Sequence, residues 1–140
     1  MRVLYCIIVL FIMLMSAYII YYCNCNNYEG YEHDKRLCKK IHEDLKKVHT
    51  KANTVTMKPG DQSYTVNKKH ITMCLKDKDG KYYDDNMLNY VALHELAHVL
   101  CDEIGHTEKF YAIFDQLLED AEKAGVYDKS IPVVDNYCPK

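Results

Sequence analysis

The sequence predicts an α+β fold preceded by one N-terminal transmembrane helix. Three patterns indicate this: an uncharged apolar run over residues 3–22, apolar residues at helical spacing in three later segments, and short β-prone segments between the first two of those helices. The chain has 140 residues, 49% of them hydrophobic, which is enough for one domain with a packed core. We therefore expect a membrane segment at 1–25, a linker at 26–33 and a single domain at 34–140.

The N-terminal run is long enough to cross a membrane. At about 1.5 Å per residue, residues 3–22 span a hydrocarbon layer of about 30 Å. Tyr18, Tyr21 and Tyr22 lie at its end, where aromatic rings favour the headgroup boundary. A cleaved signal peptide is the alternative, but such peptides have apolar cores of about 7–15 residues followed by a small-x-small site, which this segment lacks. The pattern favours an uncleaved, single-pass anchor.

The charges beside the anchor do not decide its orientation. Arg2 precedes the anchor, and the basic residues that follow it are mixed with acidic ones, so the positive-inside rule does not favour either side. Six of the seven cysteines follow the apolar run 3–22, an even number that would suit disulfides in an oxidising compartment. They are Cys23, Cys25, Cys38, Cys74, Cys101 and Cys138. Cysteine usage therefore slightly favours a lumenal or extracellular domain.

The domain begins with an amphipathic helix and continues into β-prone segments. Between residues 34 and 52, apolar side chains recur at spacings of four, four and three, which places Leu37, Ile41, Leu45 and Val48 on one helix face. Segments 54–57, 63–66 and 71–75 are short and rich in β-branched residues. A helix followed by such segments predicts a small sheet packed against helices.

Two further helices follow the sheet. One of three residues, Asp84, Asp85 or Asn86, caps the first helix, whose apolar spacing continues to about Gly105. Thr107 can cap the second helix, which is expected to end at Gly125. The tail beyond residue 126 contains Pro132 and Pro139 and is expected to be extended.

The first of these two helices carries the motif His94-Glu95-Leu96-Ala97-His98. Residues i and i+4 of a helix lie on one face, so both imidazoles can reach one metal ion at about 2.0–2.1 Å. In an HExxH motif the glutamate does not bind the metal and acts on zinc-activated water. The capped helix and its apolar neighbours favour a site over two incidental surface histidines. The motif thus predicts bound Zn²⁺, with His94 and His98 as ligands and Glu95 as the catalytic residue.

A catalytic zinc needs a third protein ligand and one open position. His106 is the candidate, because it follows His98 by eight residues and lies just past Gly105, where the chain can turn back. A straight helix could not bring a third side chain to the same ion. The alternatives are Glu119, Glu122 and Asp102.

The run His94 to Phe110, HELAHVLCDEIGHTEKF, resembles the WLM and SprT-like zinc peptidases, most closely the WLM-type metallopeptidases of large DNA viruses and algae. The resemblance extends from Ser63 to about Cys138. It implies a minimal zincin-like domain, in which a small sheet packs on the active-site helix and supporting helices. It also implies zinc bound by the three histidines, a catalytic glutamate, and Phe110 beneath the third ligand. Family members that cleave proteins crosslinked to DNA carry DNA-binding regions, whereas this chain has a net charge of -2. Nucleic acid is therefore not an expected partner.

These patterns predict a membrane-anchored zinc metalloendopeptidase that hydrolyses peptide bonds of a protein or peptide substrate, with Glu95 as general base. Segment 71–75 is expected at the sheet edge beside the cleft, where an extended peptide can add as a strand. Tyr90, one turn before the motif, is either an oxyanion donor or, as we favour, an ordinary packed tyrosine. The alternative function is a membrane-anchored, non-catalytic binding module with structural zinc, which a fourth ligand from Cys101 or Asp102 would favour.

Overall fold

A computed structural model describes residues 2–138, and these form three helices and one small sheet. In chain order the elements are α1 (Arg2–Val48), a 3₁₀ segment (Thr50–Thr54), β1 (Thr56–Pro59), β2 (Tyr64–Val66), β3 (His70–Met73), α2 (Asp85–Leu100) and α3 (Glu108–Lys123). The α+β class expected from the sequence is confirmed. Residue 1 of the predicted anchor and residues 139 and 140 of the predicted domain lie outside the described residues.

Helix α1 is one continuous helix, whereas the sequence predicted an anchor, a linker and a separate helix. Residues 26–33 are helical, whereas an irregular linker was the expectation. Gly30, the weakest helix former in the segment, costs a helix about 1 kcal/mol, which is too little to end it. The N-terminal part of α1 is long and apolar enough to cross a membrane, a property that signal sequences share. The chain divides into two compact units between Asp34 and Lys35.

The strands form a single sheet in the order β1-β3-β2. Strand β3 pairs in parallel with β1 and antiparallel with β2, so that Ile71 lies between Met57 and Thr65. The prediction that segment 71–75 forms the sheet edge is therefore wrong. Its side chains from Ile71 to Met73 are all buried, as a central strand requires, whereas β2 alternates between exposed and half-buried residues and forms the edge.

Helix α2 packs against both α3 and the sheet, where it contacts β2 and β3. Among the three candidate caps, Asp84 is the one used, and its side chain accepts a hydrogen bond from the Met87 amide at 2.8 Å. The helix ends at Leu100, earlier than expected. Thr107 caps α3 as predicted, and the chain leaves α3 through Gly125, whose φ of +69° suits glycine.

One disulfide joins the sheet to the C-terminal tail. It links Cys74, which follows β3, to Cys138. The tail between residue 126 and this cysteine contains no helix or strand. Tyr137, next to the bridge, donates a hydrogen bond to the Cys74 carbonyl. Of the six cysteines that follow the apolar run 3–22, all within the described residues, these two form the one bridged pair.

Candidate metal centre

Three histidine rings converge between the second half of α2 and the start of α3. The Nε2 atom of His106 lies 3.0 Å from that of His94 and 3.1 Å from that of His98. One ligand atom from each histidine falls within a group no wider than 4.8 Å. Tetrahedral bonds of about 2.0–2.1 Å would hold ligand nitrogens about 3.3 Å apart, so the observed spacing fits one small cation. These three side chains can form a metal site.

Local structure explains the convergence. His94 and His98 are one turn apart on α2 and therefore face the same direction. The chain then leaves the helix after Leu100 and reverses through Gly105, whose φ of +86° is one that a side chain would disfavour. This reversal returns His106 to the first two rings just before α3 begins. The structure thus brings the three sequence-predicted ligands together.

The surroundings keep His94 and His98 in the neutral form that binds a metal. Burial, together with the neighbouring His98 and His106, lowers the pKa of His94 to about 4. Burial also lowers the pKa of His98, with His106 as the second cause. Both rings are consequently neutral at pH 7 and have a nitrogen lone pair available.

Phe110 forms the floor of the site. Its side chain is fully buried, and its ring centroid lies 4.4 Å from that of His98, 4.7 Å from that of His106 and 4.9 Å from that of His94. The aromatic ring therefore contacts all three imidazoles, more than the single contact with the third ligand that the resemblance implies. Such packing restricts the ring rotamers and excludes water from this side.

Glu95 lies beside the histidines and is almost completely buried, with 6% of its surface exposed. Its Oε2 atom accepts a hydrogen bond from Thr65 Oγ1 at 2.7 Å. Burial raises the pKa of this carboxyl group, and the Thr65 hydrogen bond acts in the opposite direction. The sequence reasoning missed Thr65. The available signal was the alternation of side chains along the predicted strand 63–66, which directs Thr65 to the face opposite Tyr64 and Val66.

A cleft of about 560 Å³ opens in front of the histidines. One wall carries the motif residues, and the other belongs to β2 and the turn after it. The cleft is lined, besides the motif residues and His106, by Ser63, Tyr64, Thr65, Asn67, Lys68, Glu103, Ile104 and Gly105. Its size is typical of sites for small ligands or for a short stretch of peptide.

The alternative ligands are not part of the described histidine cluster. Asp102 pairs with Lys109 at 2.6 Å, and Cys101 is a buried free thiol. Glu119 and Glu122 form ion pairs with Lys123 and Lys129 on the surface. Among the described residues, the cluster therefore consists of His94, His98 and His106.

Tyr90 lies outside the cleft lining. Its ring packs against Phe114 and Tyr127, with centroid distances of 5.2 and 5.9 Å. Burial raises the pKa of its hydroxyl group. The arrangement is that of a packed aromatic residue, the interpretation that the sequence favours.

The chain is similar to viral proteins. It is 53% identical over 88 residues to uncharacterized protein 136R of Invertebrate iridescent virus 6. The aligned region covers 61% of this chain and 49% of that protein. It is 48% identical over 87 residues to uncharacterized protein 042R of Invertebrate iridescent virus 3, and this alignment covers 61% of this chain and 55% of that protein. A third relative, from Acanthamoeba polyphaga mimivirus, is 46% identical over 67 residues, covering 46% of this chain and 34% of its own length. The chain spans about half the length of the first two relatives. No protein-family model and no solved structure matches it.

Proposed function

We propose that this chain is a membrane-anchored zinc metalloendopeptidase with a minimal zincin-like domain, related to the WLM and SprT-like peptidases. The observation that carries the proposal is the meeting of three histidine Nε2 atoms beside a buried glutamate, at the wall of an open cleft. Three nitrogen ligands with no fourth protein ligand among the described residues leave one position for water or substrate, as in catalytic zinc sites.

The proposed reaction is hydrolysis of a peptide bond. Zinc, when bound, supplies Lewis acidity that makes water more acidic and polarises a peptide carbonyl. Glu95 accepts the proton from the attacking water and later donates it to the leaving amine. Because Thr65 engages Oε2, the second carboxylate oxygen, Oε1, is the atom that we assign to this proton transfer. Burial raises the pKa of Glu95 and so makes its carboxylate a stronger base, which favours removal of the proton from the attacking water.

The substrate is proposed to bind as an extended strand. Strand β2 forms an edge of the sheet and lines the cleft, so its backbone groups on the side away from β3 can pair with a peptide. This assigns to β2 the role that the sequence suggested for segment 71–75. A peptide in this position would cross the cleft in front of the histidines.

We propose that the N-terminal part of α1 anchors the chain in a membrane by a single pass. The length and apolar composition of this part support the proposal, since such a helix can span the hydrocarbon layer of a membrane. The disulfide between Cys74 and Cys138 supports an oxidising compartment, hence a lumenal or extracellular domain.

The competing function is a non-catalytic module held together by zinc. Structural zinc sites fill all four positions with protein ligands, yet neither Cys101 nor Asp102 is part of the described cluster. A buried carboxylate also carries a desolvation cost that a purely structural site has no reason to bear. Both points favour catalysis over structure.

The decisive experiment uses the full chain in detergent micelles. Zinc content is measured by atomic emission, and cleavage of an unfolded protein is followed for the wild type, Glu95→Gln and His98→Ala. We expect about one zinc per chain in the wild type and in Glu95→Gln, a loss of about 10²–10⁴-fold in kcat for Glu95→Gln, and loss of zinc for His98→Ala.

Glu103→Gln is the matched control, because this exposed glutamate also lines the cleft. It should retain wild-type cleavage. A zinc-loaded Glu95→Gln variant that cleaves at the wild-type rate would refute the mechanism, and a wild-type chain that binds no zinc would refute the site.

A further inference from the structure

The hairpin formed by β2 and β3 is tied to α2 at two points by side-chain hydrogen bonds. Thr65, in the middle of β2, reaches Glu95, and Lys68, in the turn after β2, reaches the carbonyl of Cys101 at the end of α2. Thr65 and Lys68 both line the cleft, on the wall that β2 and the turn after it form. They connect the edge strand to the helix that carries the catalytic motif.

The Thr65 contact is directed at the functional atoms of Glu95. Its Oγ1 atom lies 2.7 Å from Oε2 and 3.1 Å from the backbone carbonyl of the same residue. A hydroxyl group has one proton to donate, and the shorter contact to a carboxylate is the stronger hydrogen bond. A carboxylate with one oxygen held in this way has its torsion fixed, so that Oε1 has a defined direction.

The Lys68 contact is made at a conformational cost. Asn67 and Lys68 both have positive φ, 52° and 54°, in a turn closed by the Lys69 amide and the Val66 carbonyl. Two such residues are typical of type I′ turns, in which asparagine is common and the second position usually holds glycine. A lysine in this conformation is strained. Its ammonium group lies 2.5 Å from the Cys101 carbonyl, where the helix dipole also favours a cation.

We infer that Thr65 is a positioning residue that orients the carboxylate of Glu95, and that Lys68 holds the edge strand at the distance from α2 which this contact requires. The inference rests on the proposed function and deepens it. A strand of only three residues has few backbone bonds to fix its position, so the two side chains supply the missing restraint. Glycine at position 68 would relieve the backbone strain but would remove the contact with the Cys101 carbonyl, which explains why a strained lysine stands there.

The test for Thr65 compares Thr65→Val and Thr65→Ser in the full, zinc-loaded chain in detergent. Valine keeps the shape and removes the hydroxyl group, and we expect kcat to fall about 10- to 100-fold with KM within about twofold. Serine restores the hydroxyl group and should return kcat to within about threefold of the wild type. The absorption spectrum of the cobalt-substituted protein should be the same in all three, because no ligand changes.

Thr56→Val is the matched control for this change. Thr56 is an exposed strand threonine on β1, the other edge of the sheet, and its hydroxyl group also bonds a side chain, that of His70 at 2.8 Å. It should leave kcat unchanged. Equal kcat for Thr65→Val and the wild type would overturn the inference.

The test for Lys68 uses Lys68→Gly, with Lys69→Met as the control at the next, exposed position. Glycine relieves the backbone strain, so we expect the thermal midpoint to stay or rise while kcat falls about tenfold. A lysine that matters only for stability would give a lower midpoint with kcat unchanged, which would overturn this half of the inference. A wild-type chain without peptidase activity would refute the proposed function and the inference together, whereas an active chain insensitive to both changes refutes the inference alone.

Discussion

Helices α2 and α3 have the same length, 16 residues each, and both begin at a side-chain cap, yet they contribute to the protein in different ways. Ten residues of α2 are buried, whereas α3 buries four along one stripe. The polar side chains of α3 form ion pairs at the surface, such as Lys123 with Asp120 at 3.3 Å. Those of α2 include two that are buried, Asn89 and Glu95.

The difference shows where polar groups have a specific role. On an amphipathic helix such as α3, water solvates the polar face, and its sequence there is loosely constrained. On a helix packed on most sides, every polar group needs a partner or a function, because desolvation is costly. Asn89 has a structural partner for its Nδ2, the Val126 carbonyl, while its buried Oδ1 has no hydrogen-bond partner among the described residues. Glu95 together with the two histidines of α2 belongs to the candidate site. Three substitutions test what buried residues of the two helices contribute to stability and to the site.

The largest effect is expected from Phe110, the one residue of α3 that packs against all three histidines. Phe110→Ala should lower the free energy of unfolding by about 3–5 kcal/mol and weaken zinc binding, because it opens a cavity beneath the rings. Unfolding followed by near-ultraviolet circular dichroism of the tyrosines, together with a zinc titration, measures both. Tyr111→Ala is the control, because its ring also lies near a histidine, 6.1 Å from that of His106, but is exposed, so that its removal opens no buried cavity. Equal effects of the two changes would contradict the role assigned to Phe110.

A smaller effect is expected at Asn89. Its Nδ2 donates to the Val126 carbonyl at 2.9 Å in a buried position, which ties α2 to the chain leaving α3. Asn89→Ala should cost about 1–3 kcal/mol in unfolding free energy and leave kcat of the folded protein unchanged. Asn86→Ala is matched to it, since Asn86 makes similar bonds to Asp128 near the surface, where water can replace them. A loss of kcat in Asn89→Ala would place this residue in the site.

The smallest effect on stability is expected at Glu95. In the metal-free chain, Glu95→Gln should leave the unfolding free energy unchanged or raise it by up to about 1 kcal/mol, because a buried carboxylate is replaced by a neutral amide that can still bond Thr65. Chemical unfolding in detergent at pH 7 measures the difference. A clear loss of stability would mean that Glu95 is retained for structure, as Asn89 is.

The sequence was most informative where an interaction is local. The spacing of four residues put His94 and His98 on one helix face, and Gly105 indicated the reversal that returns His106, because both depend only on the geometry of a few consecutive residues. Thr107 was identified as a cap for the same reason. The apolar N-terminal run likewise marked a helix by itself.

Tertiary structure alone decided the features that join distant segments. Strand order made β2 the edge and placed Thr65 on Glu95, and the pairing of Cys74 with Cys138 depends on where the tail lies. The prediction of a linker at 26–33 was wrong, because the local helix propensity of these residues is too weak to indicate whether a helix continues through them. Contacts between residues 30 or 64 positions apart are set by packing of the whole domain, and short β-prone segments do not specify their neighbours.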